Sequence, residues 1–174
     1  KDASPLVFPP IGLEEEELDR FLRVSEINTS TWGTGISRSL AEFSDELSRG
    51  EASLQKAANG SVRRVVDVVV MKMVRAYGSG DEVLLEAEET HGASAKRLDR
   101  LPAVKRRSDE HQFHAAWRLV THYLKINPCL VSFDPVDVRV TEEEQESLSY
   151  PGLVSLYRKR IVSAKLLFEP PASR

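Results

Sequence analysis

Apolar residues fall at helical spacing in three stretches of the chain and at strand-like spacing or density in several others. Residues 13–24 place Leu18, Phe21 and Leu22 on one face behind Glu14 to Glu17, whose carboxylates favour a helix N-terminus, so a short amphipathic helix is predicted. Ser39-Leu40-Ala41-Glu42 has the form of a capping box, and Leu40, Phe43 and Leu47 give the following helix its apolar stripe. Gly50 is expected to stop it, and residues 51–58 read as a second short helical piece. Before these, residues 27–37, INTSTWGTGIS, read as a loop or short strand.

From Ser61 the texture changes. VRRVVDVVVMKMVRAY is dense in β-branched residues, Gly78-Ser79-Gly80-Asp81 supplies a turn, and EVLLEAEE follows, so a hairpin is predicted. A short strand is expected near residues 100–104. In residues 109–125, Phe113, Ala116, Trp117, Val120 and Leu124 recur at three- and four-residue steps, which predicts a helix with one core face. Strand-like pieces follow at 130–133 and 136–141, then the acidic run 142–146, then a long strand within 152–168. No internal repeat is visible. The order from residue 61 onward predicts an α/β, more narrowly α+β, fold: a mixed sheet packed by helices, with an N-terminal helical extension. The expected division is 1–61 for a proline-bearing arm and short helices, 62–170 for the main domain, and 171–174 for a tail.

A length of 174 residues with 41% hydrophobic composition suits one domain with an appendage, or at most two small ones. The formal net charge of −3 argues against bulk attraction to nucleic acid. Residues 65–74 form the most apolar run, and Asp67 and Lys72 interrupt it, so no transmembrane segment is expected and any membrane association would be peripheral, through partners. Cys129 stands alone, so no internal disulfide framework is possible, and a reducing compartment or organelle interior fits better than secretion. The sequons at Asn28 and Asn59 read as chance matches in that setting. Because the first residue is Lys1 rather than Met, the compartment stays open between plastid or mitochondrion and cytoplasm.

Positive charge gathers at Lys96, Arg97, Arg100, Lys105, Arg106 and Arg107, just before the predicted helix, whose N-terminal dipole also favours an anion. A phosphate-bearing ligand, an RNA backbone or an acidic protein surface could dock there, nucleic acid being the less favoured, although Asp99, Asp109 and Glu110 dilute the patch. His111, His114 and His122 lack the four-residue spacing that converges two imidazoles on zinc, so no metal is expected from them. Trp117 reads as a core anchor. Ser, His and Asp are all present without a nucleophile signature, and no catalytic residue is assigned.

Residues 101–126, LPAVKRRSDEHQFHAAWRLVTHYLKI, resemble the Nudix box. Its consensus is Gly, five residues, Glu, seven residues, Arg-Glu, an apolar residue, any residue, Glu-Glu, any residue, Gly, apolar. With Glu110 on the first glutamate, Arg118 falls on the arginine, Val120 on the first apolar position and Ile126 on the last. The first glycine position holds Val104, the glutamate after the arginine is Leu119, the paired glutamates are His122 and Tyr123, and the second glycine is Lys125. Leu101-Pro102 and Ala115-Ala116 also look like the family's setting. The segments LPAVKRR and SYPGLVSLYRKR further resemble uncharacterised Nudix-like proteins of photosynthetic protists.

The resemblance implies a Nudix-like fold over about residues 62–170. Active members hold Mg²⁺ with the box glutamates, so their replacement implies lost metal affinity, no cofactor, and a catalytically inactive subunit of a larger, possibly organellar, complex whose partners are other proteins. Two alternatives stand beside it. One is a regulatory module binding a nucleotide or phosphate through the basic loop. The other is a pyrophosphohydrolase with relocated ligands, drawn from Glu142 to Glu144 or from Glu86 and Glu88.

Overall fold

The computed structural model of the chain describes residues 6–7, 14–91 and 94–167. Most of the predicted arm and all of the tail lie outside the described residues; within the arm, β1 (Leu6–Val7) pairs antiparallel with β2 (Ser53–Lys56). Helix α1 (Glu15–Val24) and helix α2 (Leu40–Ser48) precede β2. Seven further strands follow: β3 (Val62–Tyr77), β4 (Gly80–Val83), β5 (Glu86–His91), β6 (Ser94–Arg100), β7 (Ala103–Lys105), β8 (Val131–Glu146) and β9 (Val154–Leu166). Helix α3 (Gln112–Arg118) lies between β7 and β8. The class is α+β, as expected.

One sheet runs in the order β1-β2-β3-β9-β8, with β4 and β7 also on β3; β5 and β6 form a separate two-stranded sheet. Two compact units divide the chain. The first comprises Lys1–Asp67, Arg107–Asp109 and Glu142–Arg158; the second comprises Val68–Arg106, Glu110–Thr141 and Lys159–Arg174. Each has its own core.

In the first unit, α1 and α2 bury Leu18, Leu22 and Phe43 with Trp32, Leu54, Val62, Tyr150 and Leu153. The capping box of α2 is formed, with Ser39 accepting from the Glu42 N–H and Glu42 accepting from the Ser39 N–H. Gly50, at φ +65°, takes the left-handed turn that closes the helix. Residues 51–58 correct the helical expectation: 53–56 are strand, because Leu54 and Gln55 are buried by pairing with 62–65. Tertiary pairing overrides a local pattern that could serve either state.

In the second unit, Val69, Met71 and Met73 of β3, Val162 and Ala164 of β9, and Val104 and Val131 pack against Ala115, Ala116, Leu119 and Val120. Small alanines let the helix approach the sheet closely. Trp117 is half-buried and meets Phe133 edge-on at 4.7 Å, as a core anchor should. The predicted hairpin is present, with Val74↔Val83 and Tyr77↔Gly80 in register, but EVLLEAEE divides between β4 and β5. The helix is shorter than expected. It ends at Arg118 and continues as a five-residue π turn, Leu119–Tyr123. Residues 130–141 and the acidic run are also corrected, since 131–146 form the single strand β8 at one end of the order.

Candidate functional site

The segment 101–126 folds as a short strand, a loop and a helix, the arrangement expected of the box. Its centre is a bidentate pair in the second unit. The Arg118 guanidinium donates from Nε to Glu110 Oε1 at 3.0 Å and from Nη2 to Glu110 Oε2 at 2.8 Å, and Nη2 also reaches the Lys105 carbonyl at 2.8 Å. Arg106 Nη1 donates to the Glu110 carbonyl at 2.6 Å. These bonds clamp the loop to the helix, and the hydrogen bonds that Arg118 donates to Glu110 hold its pKa above the ordinary value.

The far end of the frame is informative too. Lys125, where the consensus has glycine, keeps a left-handed backbone at φ +54°. Ile126 N–H donates to the Val120 carbonyl at 3.0 Å, and Leu124 N–H to that of Leu119 at 2.9 Å, closing the π turn. A glycine would adopt that conformation without the steric cost a side chain carries.

The donors of a divalent cation do not survive. Both Glu110 oxygens are engaged by Arg118, Leu119 is buried in the core, and His122 and Tyr123 are exposed side chains that are not hard oxygen ligands. The box therefore does not fit Mg²⁺, which requires oxygen donors in octahedral array. Among the described residues, no group of three or more His, Cys, Asp or Glu side chains is placed to hold a metal ion. Of the carboxylates considered as replacements, Glu142 accepts from Arg158 at 2.7 Å, Glu144 pairs with Arg63, and Glu86 accepts from Arg100 at 2.9 Å.

The basic residues are dispersed. Lys96, Arg97 and Arg100 lie on β6, in backbone register with Glu89, Glu88 and Glu86 of β5 respectively, and Arg100 donates to Glu86 at 2.9 Å. Arg97 also pairs with Asp99 on its own strand. Val104 and Lys105 lie on β7, Val104 buried against the core. Arg107 belongs to the first unit and Lys105 and Arg106 to the second.

Sequence reasoning missed a cleft in the second unit of about 480 Å³, lined by Lys72, Asp81, Asp134, Asp137, Ser163 and Lys165 among others. Lys72 alternates with buried Met71 and Met73, and Lys165 follows buried Ala164, so both ammonium groups project from the sheet face opposite α3. Asp134 Oδ1 accepts from the Val136 and Asp137 N–H groups at 2.9 and 3.2 Å. Asp137 Oδ2 accepts from Ser163 Oγ at 2.6 Å. That bond lowers its pKa, with Arg139 and Lys72 adding to the effect against desolvation. The only signal in the sequence was Lys72 interrupting a valine-rich strand.

No protein-family model matches the sequence, and no curated protein does. Among solved structures, the chain is similar to a C. elegans Ap4A hydrolase at 16% identity, covering 63% of this chain and 72% of that one, with a TM-score of 0.43. A binary complex of a C. elegans Ap4A hydrolase gives 15% identity over 60% and 69%, also at 0.43. A Nudix hydrolase from M. smegmatis, RenU, gives 19% identity over 70% and 76%, again at 0.43. The α+β element order and the seven-stranded sheet are consistent with the fold that the resemblance implies. The expectation of a catalytically inactive structural subunit is corrected by these neighbours, which are named as hydrolases and not as components of an assembly. No helix among the described residues is long and apolar enough to cross a membrane.

Proposed function

We propose that the chain is a Nudix-type pyrophosphohydrolase acting on a nucleotide phosphoanhydride, with its cation ligands outside the box helix. The observation that carries this reading is the preserved frame: Glu110 and Arg118 lock loop to helix, and Lys125 holds the backbone shape that the consensus assigns to glycine. In this chemistry Mg²⁺ neutralises phosphate charge and makes bound water a better nucleophile. Mg²⁺ retains several waters and binds through one or two carboxylates together with substrate phosphates, so a three-ligand protein cage is not required. Glu110 is then a positioning residue. Lys105 and Arg106, beside the clamp, add positive potential for the anionic substrate.

The test is product analysis after incubating the full chain with dinucleoside polyphosphates, nucleotide sugars and nucleoside diphosphates, with and without Mg²⁺. The expected result is nucleoside monophosphate release that requires Mg²⁺ and stops with chelator. No release above background from any of the three classes overturns the proposal.

A further inference from the structure

Among the described residues, β8 ends the main sheet, with β9 on one side and no strand on the other. Its outer edge therefore carries backbone N–H and C=O groups that a further strand can pair with. Five residues of this edge within the second unit, Val136-Asp137-Val138-Arg139-Val140, are complementary to themselves. Set antiparallel against a second copy about Val138, Asp137 meets the second copy's Arg139, Arg139 meets its Asp137, and Val136 meets its Val140. Centring the pair on Asp137 or Arg139 instead sets like charges face to face.

The faces of the strand agree with this register. Val138 packs against the core under α3, so Val136 and Val140 lie on the same face by alternation, yet they are 89% and 57% exposed. Arg139 and Asp137 lie on the other face with side chains 78% and 46% exposed, and within one chain they approach only to 3.6 Å. Pairing covers valine with valine and gives each charge a second opposite neighbour.

The paired window is also bounded. Pro135 has no N–H, Asp134 Oδ1 already accepts from the Val136 and Asp137 N–H groups, and in this register Glu142 opposes the second copy's Asp134. Whichever alternate set of residues turns its N–H groups outward, about four ladder hydrogen bonds need neither of the two that Asp134 holds. A two-fold pair uses the same edge of each copy, so it closes at two.

We infer that the chain forms a two-fold dimer by antiparallel pairing of β8 with β8 of a second copy, centred on Val138. The occupant is a second copy because the order of charges along the edge is the complement of itself when reversed. The inference stands apart from the hydrolase reading.

The experiment is sedimentation equilibrium of the full chain over roughly 1–300 μM, the range in which a small transient interface assembles. The average mass is expected to rise from the 19.5 kDa of one chain towards twice that value. Asp137→Arg and Arg139→Asp, each of which opposes like charges, are expected to weaken self-association about tenfold or more. Mixed in equal amounts, the two variants are expected to associate with each other as the unaltered chain does with itself, because each supplies the charges the other lacks. Val136→Lys, at a position 89% exposed, should also weaken the dimer and leaves the bond between Asp137 and Ser163 in place. A chain that stays monomeric throughout the range overturns the inference. So does a dimer that none of these substitutions changes, and so does a mixture of the two charge variants, each folded by circular dichroism, that fails to associate.

Discussion

The two units place their charged groups in opposite ways. In the first, chemistry is turned inward: Arg64 Nη2 meets Glu46 Oε1 at 2.5 Å with both side chains at most 5% exposed, Arg64 Nη1 reaches Ser155 Oγ, and the Tyr150 hydroxyl donates to Glu46 Oε2 at 3.1 Å. Rings of Trp32, Phe43 and Tyr150 pack around this group at centroid distances of 4.5–5.5 Å. In the second unit the buried core is aliphatic with three small alanines, Ala115, Ala116 and Ala164; the Glu110–Arg118 pair is part-buried in the loop clamp, and further charges line the sheet-face cleft. Buried charge needs a counter-charge and so becomes structural, whereas charge at the rim of a cleft stays solvated. The first unit is held together by its buried polar groups, whereas the second keeps part of its charge in contact with solvent.

The sharpest way to break this comparison is to remove one member of the buried pair. Glu46→Gln or Arg64→Met should cost about 3–5 kcal/mol in denaturant unfolding, because each leaves the other side chain's charge buried without its counter-ion. Replacing both with apolar residues of similar volume should recover most of that loss. A double variant as unstable as either single one would show that the network contributes more than mutual neutralisation. In the second unit, Leu119→Ala should cost about 2–5 kcal/mol, as expected for a buried leucine whose site cannot fully collapse.

Glu110→Gln tests the clamp at a smaller scale. It is part-buried and should cost about 1–3 kcal/mol, with turnover per folded molecule falling less than stability does, since Glu110 positions the loop. If turnover disappears while stability is unchanged, Glu110 is itself catalytic and the positioning role is wrong.

The first unit should also show an alkaline weakness. Burial, with the Glu46 carboxylate beside it, pushes the Tyr150 hydroxyl up to about 12, above an unfolded value of about 10. A raised pKa of this kind contributes stability that is fully present below pH about 10 and is lost as pH rises towards 12. Tyr150→Phe should remove the part of the high-pH destabilisation that follows this window; an unchanged pH profile would contradict the assignment. The smallest effect is expected at Lys125→Gly, which restores the residue suited to φ +54° and should stabilise by about 0.5–1 kcal/mol after the entropy lost by glycine is set against the strain relieved.

What was legible in the chain was local. The capping box at Ser39 and Glu42, the turn after Tyr77 and the apolar stripe through Ala116 and Trp117 are set by neighbours a few residues away, and they folded as read. What was illegible depended on distant partners. Residues 53–56 became strand because 62–65 pair with them, and the acidic run became part of β8 with Arg63 and Arg158 paired to Glu144 and Glu142. The π turn has no local signature that separates it from a helix of ordinary pitch. The candidate site shows the same division. Glu110 and Arg118 could be picked out from their spacing, but the cleft is assembled from β3, β4, β8 and β9, and no spacing in the sequence joins Lys72 to Asp137 or Lys165.

If the chain cleaves phosphoanhydrides, a ³¹P NMR time course of a dinucleoside polyphosphate with the full chain and Mg²⁺ will show bridging-phosphorus resonances declining while a monophosphate resonance grows, and chelator will halt the change. A spectrum that stays constant through prolonged incubation, with the protein still folded, would contradict it.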